Sequence, residues 1–202
     1  PFEWGHCCSM IPPWETGGAY CCYLLRSCGS KSTRTYTGIT NNLHRRVLKH
    51  NGVLKGGAKA TRTDRPWRVV CVIAGFPEKV PALCFEWRLK KQRAITSQKL
   101  IPVKGGLDKR RANVCNVLCL DRWTSKCAPA REMPLSVWWY EGTEHGRRLP
   151  SYITETVFQD PFVPCNKRAQ AAHACSDEDE EDENGALHCP THFKELRAGK
   201  LS

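Results

Sequence analysis

The sequence predicts a small α/β domain over residues 20–95. Its order is β-β-α-β-α, with a three-stranded sheet and helices packed against it. Three observations predict this class. Two short apolar runs, Tyr20–Arg26 and Arg34–Thr40, flank a Gly29-Ser30-Lys31-Ser32 turn and read as an antiparallel hairpin. A third run, Trp67–Ala74, contains VVCVIA and reads as a strand buried on both faces. Helical patterns follow the second and third runs. A chain of 202 residues can hold one such domain and a smaller one.

The elements justify themselves in order. Residues 1–19, with CC, PPW and GG, carry no period of strand or helix and read as a flexible arm. After the hairpin, Asn41 or Asn42 can cap a helix by accepting a backbone N–H. Asn42, Arg46 and His50 recur at helical spacing and share a face. Leu43, Val47 and Leu48 supply the packing side, and Gly52 is a sensible stop. Residues 52–65 form a Gly- and Lys-rich loop too polar for the core. Its Lys55, Lys59, Arg62 and Arg65 suit a phosphate backbone, as does Arg45 on the helix before them. Pro66 opens the third strand. Pro77 opens a loop, and a helix is expected from about Val80 to Arg93.

Residues 96–160 read as a basic linker, KGGLDKRR, with a helix over Asn113–Trp123 and a strand over Leu135–Tyr140. Val114, Val117 and Leu118 form the apolar side of that helix, and Cys115 and Cys119, one turn apart, belong with it. Residues 161–202 form a tail with Cys165, His173, Cys175, His188, Cys189 and His192, interrupted by an acidic run at 177–183 that reads as a solvated loop. No apolar run approaches the ~18 residues needed to span a bilayer, so no membrane partner is expected. The sequence shows no charged segment followed by an apolar core of the secretory type. Its 13 cysteines are therefore expected as thiols or metal ligands rather than disulfides.

The formal net charge of +11 understates the first domain. Tyr20 to Arg111 holds 21 Lys and Arg against four acids, a local charge of +17. Basic surface on that scale suits a polyanion, because neutralised phosphates release condensed counterions.

Within this basic stretch five residues carry chemistry: Tyr23, Tyr36, Arg46, His50 and Glu86. Glu86 sits on an otherwise apolar helical pattern, where a carboxylate is costly unless paired or metal-bound. Pairing with Lys90 one turn ahead is the structural alternative. Arg46 has the planar fork that matches phosphate, although an arginine on a basic helix can also simply be solvated. Tyrosines in strands are commonly structural. A phenol, with its ordinary pKa near 10, needs help before it can act as a base.

CYL around Tyr23, YTG at 36–38, CCYLL, HNG at 50–52, GGA at 56–58, RPW at 65–67, GFP at 75–77 and FEW at 85–87 resemble the GIY-YIG nuclease family. Within it they resemble the catalytic subunits of the eukaryotic SLX-type structure-specific endonuclease, which cuts branched DNA. PLSVWW at 134–139 is a weaker echo, similar to the strand after the linker helix of those subunits. The resemblance implies that Glu86 binds Mg²⁺ or another divalent cation. It implies that Arg46 holds the scissile phosphate, that Tyr23 is general base with Tyr36 orienting it, and that His50 tunes or relays the proton. It implies a nuclear protein that cuts flaps, forks and Holliday junctions in repair and recombination.

The family's RING-like zinc module implies docking to a large scaffold subunit. Here the expected ladder of CxxC pairs is missing, and the tail reads as a degenerate version. Cys165, Cys175, Cys189 and His192 could complete one Zn²⁺ site, with Cys189 and His192 at ligand spacing. Two other readings stand beside this one: a GIY-YIG nuclease of a mobile element or virus with sequence-directed cutting, and a branched-DNA-binding protein that does not cut.

Overall fold

The computed structural model describes residues 19–29, 34–93, 100–140 and 148–158. All belong to the first of the chain's two compact units, Pro1–Pro164. The expected hairpin is present: β1 (Tyr20–Ser27) pairs antiparallel with β2 (Thr35–Thr40), and Tyr23 stands opposite Gly38. On its other side β1 pairs antiparallel with β3 (Trp67–Phe76), the long apolar strand. Three helices follow their strands: α1 (Leu43–Asn51), α2 (Lys79–Leu89) and α3 (Leu107–Leu118).

Side chains of a strand alternate between faces, and here the alternation divides the core in two. Cys21, Tyr23 and Leu25 pack with Leu43 and Val47 of α1, and with Trp67 and Val69. Cys22 and Leu24 pack with Ala82, Phe85 and Leu89 of α2 and with Val114 and Leu118 of α3. At the centre of that second cluster Phe85 meets Trp123 edge-on at 4.9 Å, and Phe76 meets Phe85 at 5.3 Å. Such aromatic geometry adds about 0.5–1.5 kcal/mol per pair beyond burial.

The three-stranded sheet expected of the domain is the core of a five-stranded one, in order β2-β1-β3-β6-β7. The added strands are β6 (Ser136–Trp139), antiparallel to β3, and β7 (Thr154–Val157), parallel to β6. Their physical role is to occupy the free edge of β3, whose N–H and C=O groups would otherwise be unpaired. The described part of residues 96–160 is thus more than a linker. Ala130, Met133, Leu135, Val137 and Trp139 are all buried in the core.

Two helix boundaries also differ from the pattern. The helix expected to reach Arg93 stops at Leu89, and Lys91–Arg93 instead forms β4, paired with β5 (Leu100–Pro102). Other groups take up the last carbonyls of α2: Asn113 Nδ2 donates to Leu89 O at 2.7 Å, and Val103 N donates to Lys90 O at 3.0 Å. α3 starts at Leu107, inside the KGGLDKRR stretch, and ends at Leu118, before Trp123. The capping expectations for α1 hold. The Asn42 side chain accepts from Arg45 N, and Gly52 closes the helix in the left-handed region.

Gly75 shows why a glycine stands at the end of β3. Its φ is +97°, and a Cβ built there would lie 2.1 Å from the Pro134 carbonyl oxygen. Gly75→Ala should therefore cost at least the 1–3 kcal/mol or so of a strained backbone position. Urea unfolding should show a clearly lower midpoint; an unchanged midpoint would mean that Pro134 moves aside freely.

Candidate active site

The site begins from one register pair. Tyr23 projects from β1 toward α1, and its neighbour on β2 is Gly38. A Cβ on Gly38 would lie 2.5 Å from the Tyr23 hydroxyl and 3.1 Å from the Tyr36 ring. The glycine of the YTG motif is thus the space in which the Tyr23 hydroxyl sits.

The Tyr23 hydroxyl lies 2.9 Å from His50 Nε2 and 3.1 Å from Arg46 Nε, which donates to it. Both partners come from α1 at positions one turn apart, as their spacing predicts. Tyr36, half-buried on β2, completes the group. Its ring centroid is 4.9 Å from that of His50 and 6.4 Å from that of Tyr23. Four of the five expected site residues are thus brought together. Tyr23 and His50 are 0% exposed and Arg46 is 8% exposed, so the cluster is a buried polar network in which every bond counts.

Burial sets the protonation of this network. Desolvation pushes the Tyr23 phenol well above its usual range, and the adjacent Arg46 guanidinium offsets only part of that. His50 is pushed down to about 3, mainly by burial and then by the charges of Arg46 and Arg65. At neutral pH the site therefore holds a neutral phenol and a neutral imidazole.

The far side of His50 is held by a residue that sequence reasoning missed. Its Nδ1 lies 2.8 Å from Thr61 Oγ1, and Thr61 Oγ1 in turn donates to Ala58 O at 2.9 Å. Thr61 ends a single 3₁₀ turn, Lys59–Thr61, inside the stretch expected to be all loop and too polar for the core, yet it is fully buried. The RPW motif holds that turn in place. Arg65 Nε donates to His50 O at 2.9 Å, and Trp67 Nε1 donates to Thr61 O at 3.0 Å. The only sequence signal was a tryptophan next to a polar loop, whose indole N–H needs an acceptor when buried.

Glu86 lies on the other side of the sheet. It is 5% exposed, its Oε1 is 2.8 Å from Lys90 Nζ, and its charge acts on Cys22, the β1 residue before Tyr23. The pairing with Lys90 weighed from the sequence is therefore present. Of the basic residues, Lys55, Lys59 and Arg62 are exposed, Arg45 is half-buried, and Arg65 is exposed while its Nε serves His50. Cys165, Cys175, Cys189 and His192, the acidic run 177–183 and the arm 1–18 lie outside the described residues. All eight described cysteines are free thiols; Cys115 is buried, and Cys119 is the half-buried cap of α3.

Residues 19–99 match the model of the GIY-YIG catalytic domain, and the chain carries that domain. Among curated proteins it is similar to several named structure-specific endonuclease subunit SLX1. One, from Cryptococcus neoformans var. neoformans serotype D (strain JEC21), is 35% identical over 147 residues, 68% of this chain and 28% of that protein. That alignment is longer than the domain match, so the likeness reaches beyond the domain. Relatives from Schizosaccharomyces japonicus and Schizosaccharomyces pombe are 52% and 49% identical over 68 and 69 residues, each 34% of this chain and about a quarter of the relative. The chain spans roughly a quarter of the length of the relatives it matches.

GIY-YIG nucleases are generally dependent on a divalent metal. Among the described residues no group of three or more His, Cys, Asp or Glu could hold one. The donor chemistry at Glu86 nevertheless fits a hard cation of the Mg²⁺ type. One carboxylate suffices when water and phosphate oxygens complete the shell, and Lys90 Nζ now sits where a cation would be attracted.

The state of His50 has a stability consequence. Its folded pKa of about 3 lies below its ordinary 6.5, so between these values the unfolded chain binds the extra proton. Stability from this group is present above pH 6.5 and is lost as pH falls toward 3. Denaturant midpoints taken down that range should fall for the parent chain and fall less steeply for His50→Gln. Parallel curves would place a charged imidazole in the folded site.

Proposed function

We propose that this chain is the catalytic part of a structure-specific DNA endonuclease. It hydrolyses phosphodiester bonds near branch points such as flaps, forks and Holliday junctions, in repair and recombination in the nucleus. The observation that carries the reading is the buried Tyr23–His50–Arg46 network, framed by Tyr36 and Gly38, inside a GIY-YIG domain. The names of the relatives support the substrate class and a subunit role beside a partner, for which a large scaffold subunit is the proposed identity. One Zn²⁺ held by Cys165, Cys175, Cys189 and His192 belongs to the same proposal.

The mechanism follows from the protonation states. A stable phenolate at Tyr23 is costly because the ring is fully buried. A relay avoids it: the attacking water gives a proton to the Tyr23 oxygen while the Tyr23 proton passes to His50 Nε2, 2.9 Å away. Burial and the two arginines disfavour the resulting imidazolium, and the negative charge gathering on the phosphate offsets that cost. Arg46 holds the Tyr23 oxygen through Nε and lends its charge to the transition state. Tyr36 orients the water at the half-open side of the cluster. Glu86 would hold Mg²⁺, which supplies Lewis-acid stabilisation of phosphoryl oxygen when bound. Tyr23 is covered in the chain by itself, so docking of DNA has to bring water to its hydroxyl.

Cleavage assays on matched flaps, junctions and linear duplex test this reading and separate it from sequence-directed cutting. Glu86→Gln should lower cleavage by orders of magnitude and leave branched-DNA binding intact. Arg46→Ala should lose on the order of 10²- to 10³-fold in rate. Arg45→Ala should weaken binding yet cut at close to the parent rate once DNA is saturated with enzyme. Equal losses at Arg45 and Arg46 would reduce α1 to a basic face. Cleavage at the parent rate by Glu86→Gln would put the metal elsewhere, and a parent chain that binds branches without cutting them would make this a binding protein.

The +17 of Tyr20–Arg111 carries a separate expectation. If roughly 6–10 phosphates are contacted, affinity should drop about 10³- to 10⁵-fold between 50 and 200 mM salt. A flat salt titration would count against a broad basic binding face.

A further inference from the structure

We propose that Thr61 is a positioning residue: its hydroxyl fixes His50 as the Nδ1–H tautomer, which leaves Nε2 unprotonated to accept the Tyr23 hydroxyl. The direction of the protons in this chain of bonds follows from its two ends, the Ala58 carbonyl and the Arg46 guanidinium. Ala58 O is a carbonyl and can only accept: it takes the backbone N–H of Thr61 at 3.0 Å and, on its second lone pair, the Thr61 hydroxyl at 2.9 Å. With that hydrogen on Ala58 O, Thr61 Oγ1 faces His50 Nδ1 at 2.8 Å as an acceptor, and Nδ1 carries the proton. A neutral imidazole with Nδ1–H has a lone pair on Nε2, so the hydroxyl of Tyr23 donates across the 2.9 Å contact. The Tyr23 oxygen, having given its hydrogen away, accepts from Arg46 Nε at 3.1 Å. Donors and acceptors match along the whole path from Ala58 to Arg46. The opposite tautomer would turn the Thr61 hydroxyl from Ala58 O to Nδ1, and it would set two donors, Nε2–H and Arg46 Nε–H, on the Tyr23 oxygen while leaving the Tyr23 hydrogen no acceptor among these contacts.

Nothing else on the ring's far side needs to supply this function, because the turn that presents Thr61 is itself held. Trp67 Nε1 donates to Thr61 O, and Asn51 and Trp67 exchange two bonds, Asn51 Nδ2 to Trp67 O at 3.1 Å and Trp67 N to Asn51 Oδ1 at 2.7 Å. Arg65 grips His50 O from the same segment. The segment between α1 and β3 thus folds back to set the imidazole, in addition to presenting cations to DNA. The catalytic consequence rests on the endonuclease reading above, whereas the tautomer does not.

The test is ¹⁵N NMR on the full chain with labelled histidine, the His50 signal being identified by its loss in His50→Gln, together with cleavage of a flap substrate. His50 should show the Nδ1–H pattern. Thr61→Val keeps the shape and removes the acceptor. It should shift the tautomer and lower kcat roughly 10- to 100-fold, as loss of a ring-orienting partner does elsewhere, with KM and DNA affinity unchanged. Thr61→Ser, which keeps the hydroxyl, should restore both. A parent His50 with Nε2–H overturns the proposal. So does Thr61→Val with an unchanged tautomer, or with a changed tautomer and parental kcat. If Thr61→Val fails to fold, the parent tautomer and the recovery in Thr61→Ser still decide. A parent chain that cuts no DNA but has Nδ1–H at His50, shifted by Thr61→Val, would sink the endonuclease reading and leave the hold of Thr61 on His50 supported.

Discussion

The hydrogen bond between the Tyr23 hydroxyl and His50 Nε2 is the constraint around which the first half of the chain is built. Both groups are fully buried, and a buried polar group without a partner costs about 1–3 kcal/mol. Satisfying them dictates several choices at once. Gly38 has to lack a side chain, because the Tyr23 hydroxyl occupies that volume. α1 has to begin where Asn42 can cap it, so that Arg46 and His50 face β1. The segment after Gly52 has to return to the ring and bring Thr61 with it.

The second constraint is the division of charge by the sheet. Arg46 is buried on the α1 side, while Glu86 is buried on the α2 side against Cys22. Neighbouring β1 residues therefore point to opposite environments, one cationic and one anionic. Residues on opposite faces of a sheet can meet a common ligand only around an edge, and β2, which carries Tyr36 and Gly38, is the edge strand on this side. On the other side β6 and β7 cover the edge of β3, and the buried Trp139 of β6 donates its indole N–H to Glu155 Oε1 of β7 at 2.8 Å.

The ion pair of Glu86 with Lys90 shows how such a site can rest. An almost buried carboxylate would be strongly disfavoured alone, and Lys90, the cap that follows α2, neutralises it. The ion pair is the state the structure shows; in the proposed reaction a divalent cation would take the place of Lys90.

The sequence by itself determined the parts governed by local rules. Alternation and turn residues gave β1, β2 and β3, side-chain spacing placed Arg46 and His50 on one face of α1, and the motifs singled out five candidate residues, four of which the fold brings together. It did not reveal Thr61, because a threonine in a Gly- and Lys-rich stretch looks solvated until Trp67 and Arg65 are seen to pull that stretch inward. It did not reveal that α2 stops at Leu89, since the group that donates to the Leu89 carbonyl, the Asn113 side-chain amide, is distant in the chain. Nor did it reveal the five-stranded sheet, because β6 and β7 are short and become strands only against the edge of β3. The tautomer of His50 and the protonation of Tyr23 depend on which groups burial places around them. That burial is a property of the packed chain, and only the tertiary structure decided it.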